Sequence, residues 1–150
     1  MQIAHHEACH AVMGFLVGLK LNEVWIDDDH GQTVHAGPSD MLARGFHFRD
    51  YAIRDALATV APCAFGHKLS NGDRGCFDRL LWLAGFPQQP GFIKRRLIEF
   101  SKEILNKREN IAAIGLLTDE LSRRGFLLGH EAEAIIKQAR QANREEALKC

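Results

Sequence analysis

The chain has 150 residues, of which 46% are apolar and 25% charged, with a formal net charge of zero. That length supports one domain with a real core, and the composition is that of an ordinary soluble globular protein. Zero net charge argues against nucleic acid as the main partner. No stretch is long and apolar enough to span a bilayer. The run Ala11 to Leu19 is too short, and it lacks a signal peptide's charged start and cleavage site. Four cysteines (Cys9, Cys63, Cys76, Cys150) show no C-x-x-C spacing. They read as reduced thiols of a reducing, cytoplasmic compartment.

The first predicted element is a helix from about Gln2 to Gly18. It begins almost directly with His5-His6-Glu7-Ala8-Cys9-His10. The short lead-in implies either an abrupt domain start or a lost upstream segment. His6, Glu7 and His10 form H-E-x-x-H. On a helix, positions i and i+4 lie about 40° apart and about 6 Å apart along the axis, so both imidazoles can grip one ion. Glu7 stands beside that ion, where its carboxylate can take a proton from water. Imidazole and carboxylate donors suit zinc. The competing reading is two polar histidines on a solvated face, but the apolar run after His10 implies burial, and buried His needs partners. His5 and Cys9 offer a second i, i+4 frame. It carries His6 where the base should be and ranks far lower.

Lys20 to Ile26 reads as a strand, Asp27 to Gly31 as a turn and Gln32 to His35 as a returning strand, together a β-hairpin. The three aspartates lack calcium-loop spacing and read as a solvated turn. Ala36 to His47 reads as a loop. Arg49 to Leu69 is helical by the spacing of Ile53, Leu57, Val60 and Ala64, with an interruption expected at Pro62. Ser70-Asn71-Gly72 breaks the chain before a short helix over 73–84. The stretch 85–91 is a hinge between a metal-binding half (1–85) and a C-terminal helical half (92–150). In that second half, Ile93, Leu97, Phe100, Ile104 and Leu105 form one apolar stripe. Ile111, Ile114, Leu117 and Leu121 form another, ended by Gly125. Phe126 to Gly129 reads as a linker. The last helix spans about His130 to Ala147, with Ala132, Ile135, Ile136 and Ala139 inward. Lys94-Arg95-Arg96 reads as a solvated helix face.

The two histidines need a third ligand. The metzincin positions hold Met13 and Leu16, so that pattern fails. Glu23 comes too soon, and Glu99 and Glu103 lie in an amphipathic helix that reads as structural. An aspartate remains. Asp78 lies in a helix rich in Phe and Leu, although periodicity alone favours an exposed position for it. Asp73 reads as a helix N-cap.

With these residues in hand, the chain resembles the peptidase domain of FtsH-type zinc proteases. That family opens on H-E-A-G-H-A, matched here by His6-Glu7-Ala8-Cys9-His10-Ala11. The strand around Val24-Trp25-Ile26, the stretch Ile104 to Ile111 and the turn Leu128-Gly129-His130-Glu131 resemble its later elements. The resemblance implies that Asp78 is the third zinc ligand, beside His6 and His10, with Glu7 as general base. It implies a mainly α-helical, zincin-like peptidase domain with a small β-hairpin and a C-terminal helical bundle. It also implies hydrolysis of a peptide or unfolded protein. Cys9 departs from the family's Gly. Phe77 stands where Asn or Asp often precedes the ligand. The resemblance covers the peptidase part alone and not the family's ATPase module or membrane anchor, so a homo-oligomer or a separate ATPase is the expected partner class. A weakly catalytic, metal-binding module that docks such a partner is the alternative function. His35, His47 and Tyr51 are candidates for stabilising an oxyanion, each with a plain surface role as the competing reading.

Overall fold

A computed structural model describes residues 2–88 and 90–148. Cys150 and Gln89, the latter in the expected hinge, lie outside them. The protein is mainly α-helical with a small antiparallel sheet. The order is α1 (Gln2–Leu16), β1 (Leu21–Ile26), β2 (Gly31–His35), α2 (Pro38–Ala43), α3 (Phe48–Val60), a 3₁₀ turn (Ala61–Phe65), α4 (Asn71–Leu83), α5 (Pro90–Leu105), α6 (Arg108–Arg124), β3 (Phe126–Leu128) and α7 (Gly129–Ala147). Among the described residues no helix is long and apolar enough to cross a membrane.

Helix α1 is central because its sequence is small and apolar almost all round. Ala4, Ala8, Cys9, Ala11, Val12 and Met13 are fully buried. Such a helix cannot face water and must be enclosed. It packs on α6, α3 and the hairpin. The larger core joins it to Val24, Leu127, Leu105, Leu117, Leu121 and Ile136, and so draws on both sides of the 85–91 loop. A second core gathers Ala52, Ala56 and Val60 of α3 with Phe77, Leu80 and Leu81 of α4. Ile93, Leu97 and Ile98 of α5 cover that second core, and Leu97 reaches the first as well.

The hairpin forms as the sequence predicts, with Val24 opposite Thr33 and Trp25 opposite Gln32. Pro62 does interrupt the second helical stretch. It sits in the first turn of the 3₁₀ segment, where its missing N–H costs nothing. Gly125 ends α6 with φ of 72°, a left-handed conformation that glycine adopts without a Cβ penalty.

Two elements differ from expectation. The loop 36–47 contains α2, started by Pro38 in its first turn with Asp40 beside it. The expected linker 126–129 is instead strand β3, which pairs with β1 through Glu23 opposite Leu128 and Trp25 opposite Phe126. The sheet order is therefore β2-β1-β3. The face of α5 also differs, because Phe100 is half exposed. Helices α6 and α7 bury the expected Ile114, Leu117, Leu121, Ala132, Ile136 and Ala139, whereas Ile111 is exposed.

Candidate metal centre and its cleft

Helical spacing places His6, Glu7 and His10 together in the lining of a cleft of about 1130 Å³. Its walls come from α1, the turn and strand of β2, helix α3 and the start of α4. The Nε2 atoms of His6 and His10 stand 3.0 Å apart. The Nδ1–H of His10 donates to the carbonyl of Ala58 at 2.8 Å. That bond consumes the ring's proton and leaves Nε2 with a free lone pair, as a metal-binding imidazole requires. The ring is buried, which holds its pKa down to about 4, so it is neutral at physiological pH.

Asp73, not the expected Asp78, is the aspartate that stands against the two imidazoles. Asp73 Oδ2 lies 3.3 Å from His6 Nε2, and its Oδ1 lies 3.6 Å from His10 Nε2. Asp78 is exposed. The reason is helical geometry: five residues turn a helix by about 500°, so the two side chains point about 140° apart. The inward face of α4 carries Phe77, Leu80 and Leu81. Asp73, four residues before Phe77, shares that face, and Asp78 does not. The resemblance thus assigns the ligand to the wrong turn of the right helix.

Asp73 is not the N-cap residue that the sequence reading expects but the third residue of the helix, which answers the cap at Ser70. Its backbone N–H donates to Ser70 Oγ at 3.0 Å, and its Oδ2 accepts from the Ser70 N–H at 3.0 Å. This is a reciprocal capping box with Ser70 as the N-cap residue. Burial works against ionising this carboxyl. The hydrogen bond with His6, the nearby His10 and the Ser70 contacts outweigh burial and bring its pKa to about 2.

Do these donors fit zinc? Zinc bonds of about 2.0–2.1 Å in tetrahedral array put neighbouring donors roughly 3.3 Å apart. The three separations, 3.0, 3.3 and 3.6 Å, bracket that value. The donor set, two imidazoles and a carboxylate, is one that zinc takes. Glu7 also comes within 4.8 Å of both imidazoles. Its Oε2, however, is 2.9 Å from the hydroxyl of Thr33. That anchor turns Glu7 towards β2 and leaves the closer ligand position to Asp73. Burial pushes the Glu7 carboxyl up to about 7, with the Thr33 hydrogen bond opposing the shift.

The second frame does not form a ligand set with the first. His5 Nδ1 meets His67 Nε2 at 2.8 Å and packs edge-on to Phe65. Cys9 is fully buried, and desolvation pushes its thiol to about 12, so it stays protonated and inert.

Among the oxyanion candidates, His47 is exposed at the start of α3, where its backbone N–H donates to Asp50. His35 and Tyr51 do line the cleft. The His35 side chain is only 8% exposed. Its Nε2 points end-on at α1, where a Cβ on Gly14 would come within 2.0 Å of it. Glycine at 14 is thus what admits the ring. Nε2 has no hydrogen-bond partner there, and burial lowers the ring's pKa to about 4. The phenol of Tyr51 donates to Asp55 Oδ2 at 3.0 Å. The phenol is thus spent on Asp55, while the Nε2 of His35 faces Gly14 and not the open cleft.

The sequence reading misses Asp55, which lies in the same wall. It is one helical turn beyond Tyr51 on the apolar-lined side of α3, and only that spacing could have pointed to it. No family model matches the chain, and no curated protein matches it.

Proposed function

We propose that the chain is a zinc-dependent peptidase domain of the FtsH-like kind. The observation that carries this reading is the convergence of His6 Nε2, His10 Nε2 and the Asp73 carboxylate, 3.0 to 3.6 Å apart, with Glu7 beside them. A zinc ion held there supplies Lewis-acid chemistry, polarising a scissile carbonyl and lowering the pKa of water towards about 7.

The protein's own groups do the rest. His10 is held in one tautomer by Ala58. Asp73 is held by Ser70. Glu7, fixed by Thr33, accepts a proton from the attacking water and passes it to the leaving amine. A carboxyl whose pKa is raised by burial is a better proton acceptor than a solvated one, as the first transfer requires. Strand β2 is an edge of the sheet and lines the cleft beside Glu7. An extended peptide that added to this edge would run past the metal site, with backbone pairing giving affinity without demanding a sequence. The substrate class is therefore an unfolded protein or flexible peptide. Cys9, Cys63 and Cys76 are free thiols, which suits a reducing compartment such as the cytoplasm.

The test is Glu7→Gln in the full chain, assayed on an unfolded protein with zinc content measured in parallel. Zinc should be retained and cleavage should fall by about 10²–10⁴-fold. Cleavage that persists unchanged would refute the general-base role. A zinc-loaded parent that cuts nothing would put the partner-docking module ahead.

A further inference from the structure

Beside β2, the α3 wall of the cleft holds a carboxylate that the metal chemistry does not use. Asp55 of α3 has a side chain 17% exposed. The Tyr51 phenol donates to its Oδ2. The nearest cationic candidate at Oδ1 is His35 Nδ1 at 3.9 Å, beyond hydrogen-bond reach. Among the described residues no lysine or arginine forms an ion pair with Asp55. Lys68 lines the cleft without pairing to it, and neighbouring Arg54 is spent on the Val17 carbonyl.

The charge balance of the cleft sharpens this. A divalent metal is matched by Asp73 and Glu7. Asp55 is then left over, half-enclosed, in contact with the space a substrate would fill. Burying a carboxylate without a cation is costly, and the cost is recovered when one arrives. We infer that Asp55 forms a subsite for a cationic side chain, so that the preferred substrates carry lysine or arginine close to the scissile bond. Tyr51 orients the carboxylate through its hydrogen bond, and its ring lines the same cleft, where the aliphatic stem of such a side chain would lie. The inference rests on the cleft being a peptide-binding site.

The test uses two dye-labelled, flexible Gly/Ser/Ala peptides that carry either three lysines or three norleucines. Binding is read by fluorescence anisotropy on zinc-loaded full-length Glu7→Gln, which leaves the peptides uncut. The lysine peptide should bind about tenfold tighter, the size of one charge-assisted contact. Adding Asp55→Asn should erase that preference, whereas Asp119→Asn, on the exposed face of α6 outside the cleft, should keep it. Equal binding of the two peptides, a preference that survives Asp55→Asn, or binding of neither would overturn the subsite. A second measurement needs no substitution at Asp55. The ¹³C shift of its carboxyl should move on titration with the lysine peptide, and a silent carboxyl would also overturn the proposal. Cleavage by the parent is scored separately. Lysine-selective binding without cleavage would defeat the peptidase reading and leave the subsite standing.

Discussion

The two walls of the cleft are built on opposite terms. On the α1–α4 side the polar atoms are held in place: His10 by Ala58, Asp73 by Ser70, and Glu7 on the flank by Thr33. On the α3–β2 side groups are left short. His35 Nε2 has no partner, and Asp55 has a phenol but no cation. The first wall is fixed before anything binds, which is what the proposed metal site requires, because misplaced ligands lose affinity steeply. The second keeps unmet demands that a ligand can satisfy. Chemistry is assigned to the first wall and selectivity to the second by this difference in satisfaction, more than by residue type.

The largest expected effect breaks the first wall. Asp73→Ala should abolish stoichiometric zinc retention, whereas Asp78→Ala should leave zinc unchanged and stability within about 0.5 kcal/mol. Ser70→Ala separates Asp73's two roles. It removes the cap, worth about 1 kcal/mol, and spares the ligand oxygens. Metal analysis after dialysis, with denaturant melts, reads all three. Zinc loss from Asp78→Ala with none from Asp73→Ala would restore the assignment that the resemblance implies.

The next effect sharpens the second wall. His35 has its pKa lowered from 6.5 to about 4 by burial. The unfolded chain therefore binds more protons between those values, and stability falls as pH drops from about 6.5 to about 4. The full contribution is up to about 3 kcal/mol, at about 1.4 kcal/mol for each pKa unit. His10 titrates in the same window, so His35→Gln should reduce, not remove, the pH dependence of the unfolding free energy there, whatever it does to stability at pH 8. An unchanged slope would mean that the ring is not held neutral by its site.

The smallest effect returns to the first wall. Thr33→Val removes the hydroxyl that anchors Glu7 and should cost one hydrogen bond, about 1 kcal/mol. Peptide cleavage should fall by less than about tenfold, with zinc content unaffected. Zinc loss from this variant would show Glu7 to be a ligand.

Much of this was legible in the chain because it is local. H-E-x-x-H needs only helical spacing, the hairpin needs only its turn, and α6 and α7 follow from their apolar stripes. What was not legible depends on partners distant in sequence. Phe126 to Leu128 is three residues long, and β1 alone makes it a strand. The choice between Asp73 and Asp78 turns on which face of α4 meets α1 across more than sixty residues. A local clue did exist, because Asp73 continues the stripe of Phe77 and Leu80. Its reading as a cap concealed the second role. Asp55 carries no pattern at all, since an acid in an amphipathic helix is unremarkable until the opposite wall is seen.

The capping box of α4 has a consequence for local opening. The Ser70 and Asp73 amides are each held by the other residue's side chain, and the same carboxylate faces the two imidazoles. Fraying of this turn and release of a cation are then one event seen from two sides. A bound ion raises the free energy of that opening by its own mass-action contribution. Amide hydrogen exchange at positions 70 and 73 should therefore slow as occupancy rises, while the buried amides of α1 report only global unfolding. If zinc binds as proposed, the first turn of α4 will read out its loading without substrate or turnover.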